Sequence, residues 1–361
     1  MIRFKKSAFY IVTGIMLLNQ PANAFDLGLY GVGHLSIDRV DDGLDSSTHL
    51  TSSSSRLGFR GEHPLKSELT VIFQYESGVD LTAQGENDGN GGADSKGQIF
   101  TKGRPSFVGL KGNFGQALIG HMPALDQWAN DYNLFADQVG DLGNLWEGSG
   151  IPGRLDNIIQ YTSPNMAGFD IAVSYMPEEE TDDTDNVILK GNYARKFNDS
   201  NLKLGLAHAS IGQGKGADEH TAQALTVGYY CGRFSIGGGY QRESDIKGVS
   251  GDDRDSFSLG GSMKITDNGT IKLQLATSDG DADNSDATLL AIGYDHALDD
   301  QTTLYMAYAR VSNEGGISLS DNDKGFSANG KGHGDKVTPL LGDDPSAFSF
   351  GIVYKFDASL L

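Results

Sequence analysis

The chain has 361 residues, and 48 acidic against 28 basic side chains leave a formal charge of −20 at pH 7. So large an acidic excess repels a polyanion and excludes nucleic acid as a partner. The single cysteine, Cys231, excludes an intrachain disulfide, and length alone does not divide the chain, because single β-barrels often exceed the usual domain size.

The first predicted element is residues 1–24. Arg3, Lys5 and Lys6 precede an apolar run over 8–18, and Ala22-Asn23-Ala24 closes it as an A-x-A cleavage pattern. The run is too short to span a bilayer, so the segment reads as a secretory signal peptide, leaving 25–361 as one mature domain. Its loss removes three basic residues and takes the charge from −20 to −23. Phe25, not a cysteine, directly follows the cleavage pattern, so a lipid anchor has no attachment point there. Beyond Ala24 no apolar stretch has helix-spanning length, so a membrane-embedded form must be a closed barrel, the other structure that satisfies every backbone group in lipid.

Strand-like alternation then recurs along the chain. Leu69, Val71, Phe73 and Tyr75 share one face while Thr70, Gln74 and Glu76 share the other. Leu202, Leu204 and Leu206 alternate with Lys203, Gly205 and Ala207, and Ile271, Leu273 and Leu275 oppose Lys272 and Gln274. The last such segment places Phe348, Phe350, Ile352, Tyr354 and Phe356 on one face, and Ser349, Gly351, Val353 and Lys355 on the other. Dyad patterns over roughly ten residues mark transmembrane barrel strands.

Seven short turns rich in Gly, Asn, Asp and Pro lie at 62–67, 112–115, 163–168, 197–201, 231–232, 266–269 and 297–301. Eight longer, acidic connections lie at 39–50, 79–100, 122–155, 177–186, 212–219, 243–254, 279–285 and 313–346. Fifteen alternating connections join sixteen strands and put all short turns at one rim. The expected fold is all-β, a sixteen-stranded antiparallel transmembrane β-barrel whose apolar stripes face lipid. A secreted, soluble β-sandwich that binds carbohydrate as an adhesin is the alternative; it buries the stripes between two sheets and has no reason to sort loops by length.

The third long connection, 122–155, contains both tryptophans, and no Lys or Arg occurs from 112 to 153. Leu125, Trp128, Ala129, Tyr132, Phe135, Ala136 and Val139 recur at spacings of three and four, opposite Asp126, Asn130, Asn133 and Asp137. That spacing predicts an amphipathic helix between Pro123 and Gly140.

Five segments carry a family resemblance: Leu29-Tyr30-Gly31, Ser54-Ser55-Arg56-Leu57-Gly58-Phe59-Arg60-Gly61, the run from Phe107 to Gly115, the run from Tyr161 to Phe169, and Phe348 to Phe356. In that order they make the chain resemble the trimeric, sixteen-stranded general porins of Gram-negative bacteria. The resemblance implies a homotrimer in the outer membrane, in contact with its lipid and lipopolysaccharide, passing small hydrophilic solutes and ions by passive diffusion. It implies that the barrel-insertion machinery reads the stripe Phe348, Phe350, Ile352, Tyr354 and Phe356. It also implies that 122–155 folds inward as the third loop, with its aromatic side on the wall and its polar side in the channel. Asp126, Asp131, Asp137, Asp141 and Glu147 are then candidates for the acidic rim of a constriction. Opposite them, parity sets Arg56 and Arg60 against Leu57 and Phe59 and so into the lumen, and groups Arg154 with Gln160 and Thr162. Arg104 and Lys111 complete the candidate basic wall. Opposed charges across a narrow water-filled gap orient polar solutes and penalise apolar ones. Two positions depart from the family pattern: Asp357-Ala358-Ser359-Leu360-Leu361 follow Phe356, where these porins usually end on an aromatic residue, and His121 stands where they more often have arginine.

An enzymatic reading finds no G-x-S-x-G, H-E-x-x-H or C-x-x-C motif. Asp279, Asp281 and Asp283 open like a calcium loop, but Asn284 and Leu290 stand where Gly and Glu are required. No cofactor or metal site is expected, although acidic outer loops offer charge for divalent cations bridging to lipopolysaccharide phosphates. A sugar- or phosphate-specific channel would show lumenal aromatics or extra lysines, and neither is visible. Ion preference stays open: the summed charge favours cations, whereas Arg56, Arg60 and Arg154 favour anions.

Overall fold

A computed structural model describes residues 25–66, 68–82, 103–123, 132–146, 153–178, 183–281, 285–315, 326–328, 337–340 and 342–360. The segment 1–24, expected to be a signal peptide, and the candidate acids Asp126, Asp131 and Glu147 lie outside these residues. Strand β1 (Asp26–Asp41) pairs antiparallel with β17 (Ser346–Ser359), from Gly28 opposite Ser359 to Asp41 opposite Ser346, and closes the sheet on itself.

Among the described residues, seventeen strand segments make sixteen barrel strands, because β2 (Ser46–Ser52) and β3 (Arg56–Pro64) are halves of one. Both pair with β1, β2 with its outer half and β3 with its inner half. The others follow in a meander: β4 (Thr70–Gly78), β5 (Ser106–Gly112), β6 (Gly115–Pro123), β7 (Arg154–Thr162), β8 (Phe169–Met176), β9 (Asn186–Phe197), β10 (Ser200–Ile211), β11 (His220–Cys231), β12 (Phe234–Ser244), β13 (Arg254–Lys264), β14 (Gly269–Gly280), β15 (Ala287–Ala297) and β16 (Thr302–Asn313). Each pairs with the next, so the ladders form within the barrel, with β7 meeting β8 over Ile159–Thr162.

The alternation that predicts strands sorts these side chains as a membrane requires. Leu204, Leu206, Leu225, Val227, Ile271, Leu273, Ile292, Phe350 and Ile352 stand exposed on the outside. Tyr75, Tyr175, Tyr240, Phe257, Tyr308 and Phe348 ring the outer rim of this band, and Phe169, Phe197, Tyr229, Phe234 and Tyr354 ring the rim of the short turns. Aromatic girdles of this kind border the apolar band of outer-membrane barrels. Ala222, Ala224, Thr226, Ser258, Gln274, Ala276, Ala291, Ala307, Ala309 and Ser349 are buried, facing inward. The soluble-sandwich alternative does not fit, since the stripes are uncovered.

One expected boundary shifts. The loop expected over 39–50 is a tight turn at 42–45, where Asp42 accepts the amides of Leu44 and Asp45 through its carboxylate and donates its own amide to the Asp45 carbonyl. Strand β2 is largely exposed and polar, so its sequence carries no apolar dyad to mark it as a strand.

Candidate pore constriction

Inside the barrel lies the segment 132–146, and its apolar side chains form the core. Phe135, Val139, Leu142 and Leu145 are fully buried, together with the wall residues Leu118, Met122, Leu155, Ile158 and Ile188. The wall admits the segment because it is lined with small residues. A Cβ on Gly228 or Gly237 would run into the Tyr132 ring, and one on Gly293 would come 2.7 Å from Phe135 Cε1. Gly140, at φ +84°, lies against Ala291 and Ala309.

Polar bonds fix the same segment. Gln274 on β14 accepts the Leu134 amide at 2.9 Å and donates to the Gly140 carbonyl at 2.9 Å. Lys272 bonds Gln138, pairs with Asp295 at 2.9 Å and lies over the Phe135 ring. From the other side, the Ala328 carbonyl accepts the Gly140 amide and the Asn144 side chain.

The segment is not the expected helix. Residues 132–142 form turns, and a single helical turn, α1 (Gly143–Trp146), follows; 124–131 lie outside the described residues. Asn133 and Asp141 explain the difference, because their side chains capture the amides that a helix would use. The Asn133 carbonyl oxygen takes the amides of Phe135 and Leu142, and Asp141 takes those of Asp137 and Gly143. Asp137 is thereby held at φ +61°. Asp141, expected in the channel, is instead 4% exposed. It is a buried strut, and burial with the neighbouring Asp137 charge pushes its carboxyl up to about 6.

Asp137 points the other way, its carboxylate 3.8 Å from Arg56 Nη1. Arg56 also donates to the Ser54 carbonyl at 3.0 Å and lies 3.9 Å from Glu76. Arg104 lies 3.7 Å from Glu76, and Tyr30 donates to the same carboxylate at 2.8 Å. Burial, then the charges of Arg154 and Arg56, lower Arg104 to about 10, which leaves it charged at neutral pH. Arg56, Arg104 and Arg154 thus share one field with Glu76 and Asp137. Sequence reasoning left Glu76 and Tyr30 out of this cluster, although their parity on the lumenal faces of β4 and β1 was the available signal.

Two basic candidates are elsewhere. Lys111 pairs with Glu62 at 2.6 Å beside the turn at 113–114, and Arg60 pairs with Asp357, both nearer the short-turn rim. The parity argument for Arg154 also fails, because a register shift between Gly120 and Met122, with Asn157 at φ +54°, separates it from Gln160. Its coupling to Arg104 is what places it in the cluster. His121 bonds Asp156 at 2.7 Å. The stripe Phe348, Phe350, Ile352, Tyr354 and Phe356 keeps its outward face, and β17 runs past it to Ser359.

A closed barrel narrowed by an internal charged segment is the architecture of a channel, and the sequence profile of the family described as Gram-negative porin matches residues 12–316. The chain belongs to the Gram-negative porins. This porin is 28% identical over 346 residues to outer membrane porin protein 32 of Delftia acidovorans, covering 92% of this chain and 95% of that one. The anion-selective porin from Comamonas acidovorans superposes with a TM-score of 0.71 at 26% identity, over 92% of this chain and all of the other. The trimer form of OmpT from Vibrio cholerae shares the fold, with a TM-score of 0.66 at 17% identity over 92% of this chain and 100% of that one. The protein is an outer-membrane channel for the passive diffusion of small hydrophilic solutes and ions.

Proposed function

We propose that this porin prefers anions, with Arg56, Arg104 and Arg154 as its basic wall and Asp137 as its acidic rim. The observation that carries this is the charge of the described waist: three arginines share one field with two carboxylates, Glu76 and Asp137. Among these five groups the excess is positive although the whole chain is strongly acidic; Asp141, behind Asp137, is buried away from a passing ion. Charged rings at a narrow, low-dielectric passage act at short range and outweigh screened charges at the mouth. The anion selectivity named for the Comamonas acidovorans relative supports the reading.

A homotrimer belongs to the same reading, supported by the trimeric form of the Vibrio cholerae relative. So do lipopolysaccharide contact and recognition of the outward stripe from Phe348 to Phe356 by the insertion machinery. The test is the reversal potential of the purified protein in a planar bilayer under a potassium chloride gradient. The sign of a chloride-preferring pore is expected, and the sign of a potassium-preferring pore rejects the proposal. Arg56→Ala should then lower the chloride-to-potassium ratio by several-fold, since one unit charge at contact with a permeating ion is worth about 1 kcal/mol even in water.

A further inference from the structure

The residues beyond Phe356 continue β17 along β1. Asp357 lies opposite Tyr30, Ser359 lies opposite Gly28, and the Leu360 amide donates to the Leu27 carbonyl. With the odd-numbered lumenal positions of this strand, Asp357 faces the water-filled interior and meets Arg60 from β3. The Arg60 guanidinium lies between that carboxylate and the Tyr30 ring, 5.1 Å from the ring centroid. Both charged side chains stay half-exposed, at 52% and 55%.

They border a cavity of about 470 Å³ below the waist, shared with Arg56, Lys355, Gln74, Glu76 and Asp300. Lys355 is in register with Val32, and Val32 with Arg56, so this cation stands level with the waist on the neighbouring wall. Without Asp357, the cavity would set Arg56, Arg60 and Lys355 against two carboxylates, Glu76 and Asp300. With it, Arg60 is neutralised.

We infer that Asp357 is a selectivity-determining residue: its carboxylate cancels Arg60 and ends the anion-attracting field before the periplasmic exit. The inference deepens the anion-preferring reading and rests on it. A half-exposed ion pair contributes little to stability, so the pair acts on the field that a passing ion meets. Arg60 is four residues from Arg56, roughly 13 Å along the strand, which exceeds the Debye length of about 10 Å at 0.1 M salt. Its effect is therefore separable from that of the waist and grows as salt falls.

The experiment is the chloride-to-potassium permeability ratio in planar bilayers at 0.1 M and 1 M mean salt, for the wild type, Asp357→Asn, Arg60→Gln and the double variant. Asp357→Asn should raise the ratio about two-fold at 0.1 M and barely change it at 1 M. Arg60→Gln should lower it by a similar factor, and the double variant should return to the wild-type value. Heat-modifiable migration of each variant reports its assembly, and Arg60→Gln with the double variant carry the test if Asp357→Asn does not assemble. An assembled Asp357→Asn pore with an unchanged ratio at 0.1 M overturns the inference, as does a double variant that keeps the shift of either single one. A wild-type ratio below unity rejects the anion-preferring reading, whereas the direction of the Asp357→Asn shift decides the role of Asp357 by itself.

Discussion

Arg56 owes its position to a break in its own strand. Between β2 and β3, Ser54 adopts φ +50°, the Ser53 amide bonds the His34 carbonyl, and the Ser55 hydroxyl accepts the His34 amide. The turned Ser54 carbonyl then receives Arg56, while Asp137 approaches from the loop. Asp137 is aimed in turn by Asp141, which has Asn133 and two backbone amides as donors. Asp141→Asn replaces one acceptor oxygen with an amide that faces a donor, a loss of about 1–3 kcal/mol in loop packing. The pH dependence follows from the raised carboxyl of about 6. The packed loop holds the proton more tightly than a free aspartate, whose ordinary value is about 3.9. Its packing is therefore strongest below about pH 4 and weakens as pH rises through 6. The thermal midpoint of the wild type should rise between pH 7 and pH 4.5 relative to that of Asp141→Asn; parallel profiles would remove Asp141 from this role.

At the scale of elements, the constriction loop is a guest in a cradle prepared by six strands, β11 to β16. Gln274 holds two of its backbone groups, and Gly228, Gly237, Gly260 and Gly293 clear space for Tyr132, Leu134 and Phe135. Gln274→Ala leaves the Leu134 amide and the Gly140 carbonyl without these partners, at about 1–3 kcal/mol each where water is excluded. The loosened loop should admit larger solutes, seen as faster swelling of liposomes in disaccharides than with the wild type; equal rates would show that the remaining contacts suffice. The wall was legible in the sequence because lipid on one face and water on the other impose a period of two, as at Ile271, Leu273 and Leu275 or from Phe348 to Phe356. The loop was legible only in its apolar residues. Tyr132, Phe135 and Val139 are buried as their spacing suggests, but their backbone is set by side-chain bonds from Asn133 and Asp141 that periodicity does not register. Arg60 shows a further limit: its lumenal parity could be read, whereas its partner lies 297 residues away.

At the scale of the molecule, two charge systems of opposite sign are stacked along one path. The waist carries the arginine excess, and the outer loops carry exposed acids such as Glu178, Asp218 and Glu219. The two differ in range. At 1 M salt the Debye length is about 3 Å, so loop charges are hidden from an ion on the axis; at 0.01 M it is about 30 Å, and the whole mouth is felt. Anion preference should therefore fall as salt is lowered on the outer side, because the acidic mouth depletes chloride before it reaches Arg56. Glu178→Gln with Asp218→Asn and Glu219→Gln should raise the chloride-to-potassium ratio at 0.01 M and leave it unchanged at 1 M, whereas Arg56→Ala should lower it at both. An equal effect of the triple variant at both concentrations would mean that these loops reach the waist, and the separation of mouth from filter would be lost.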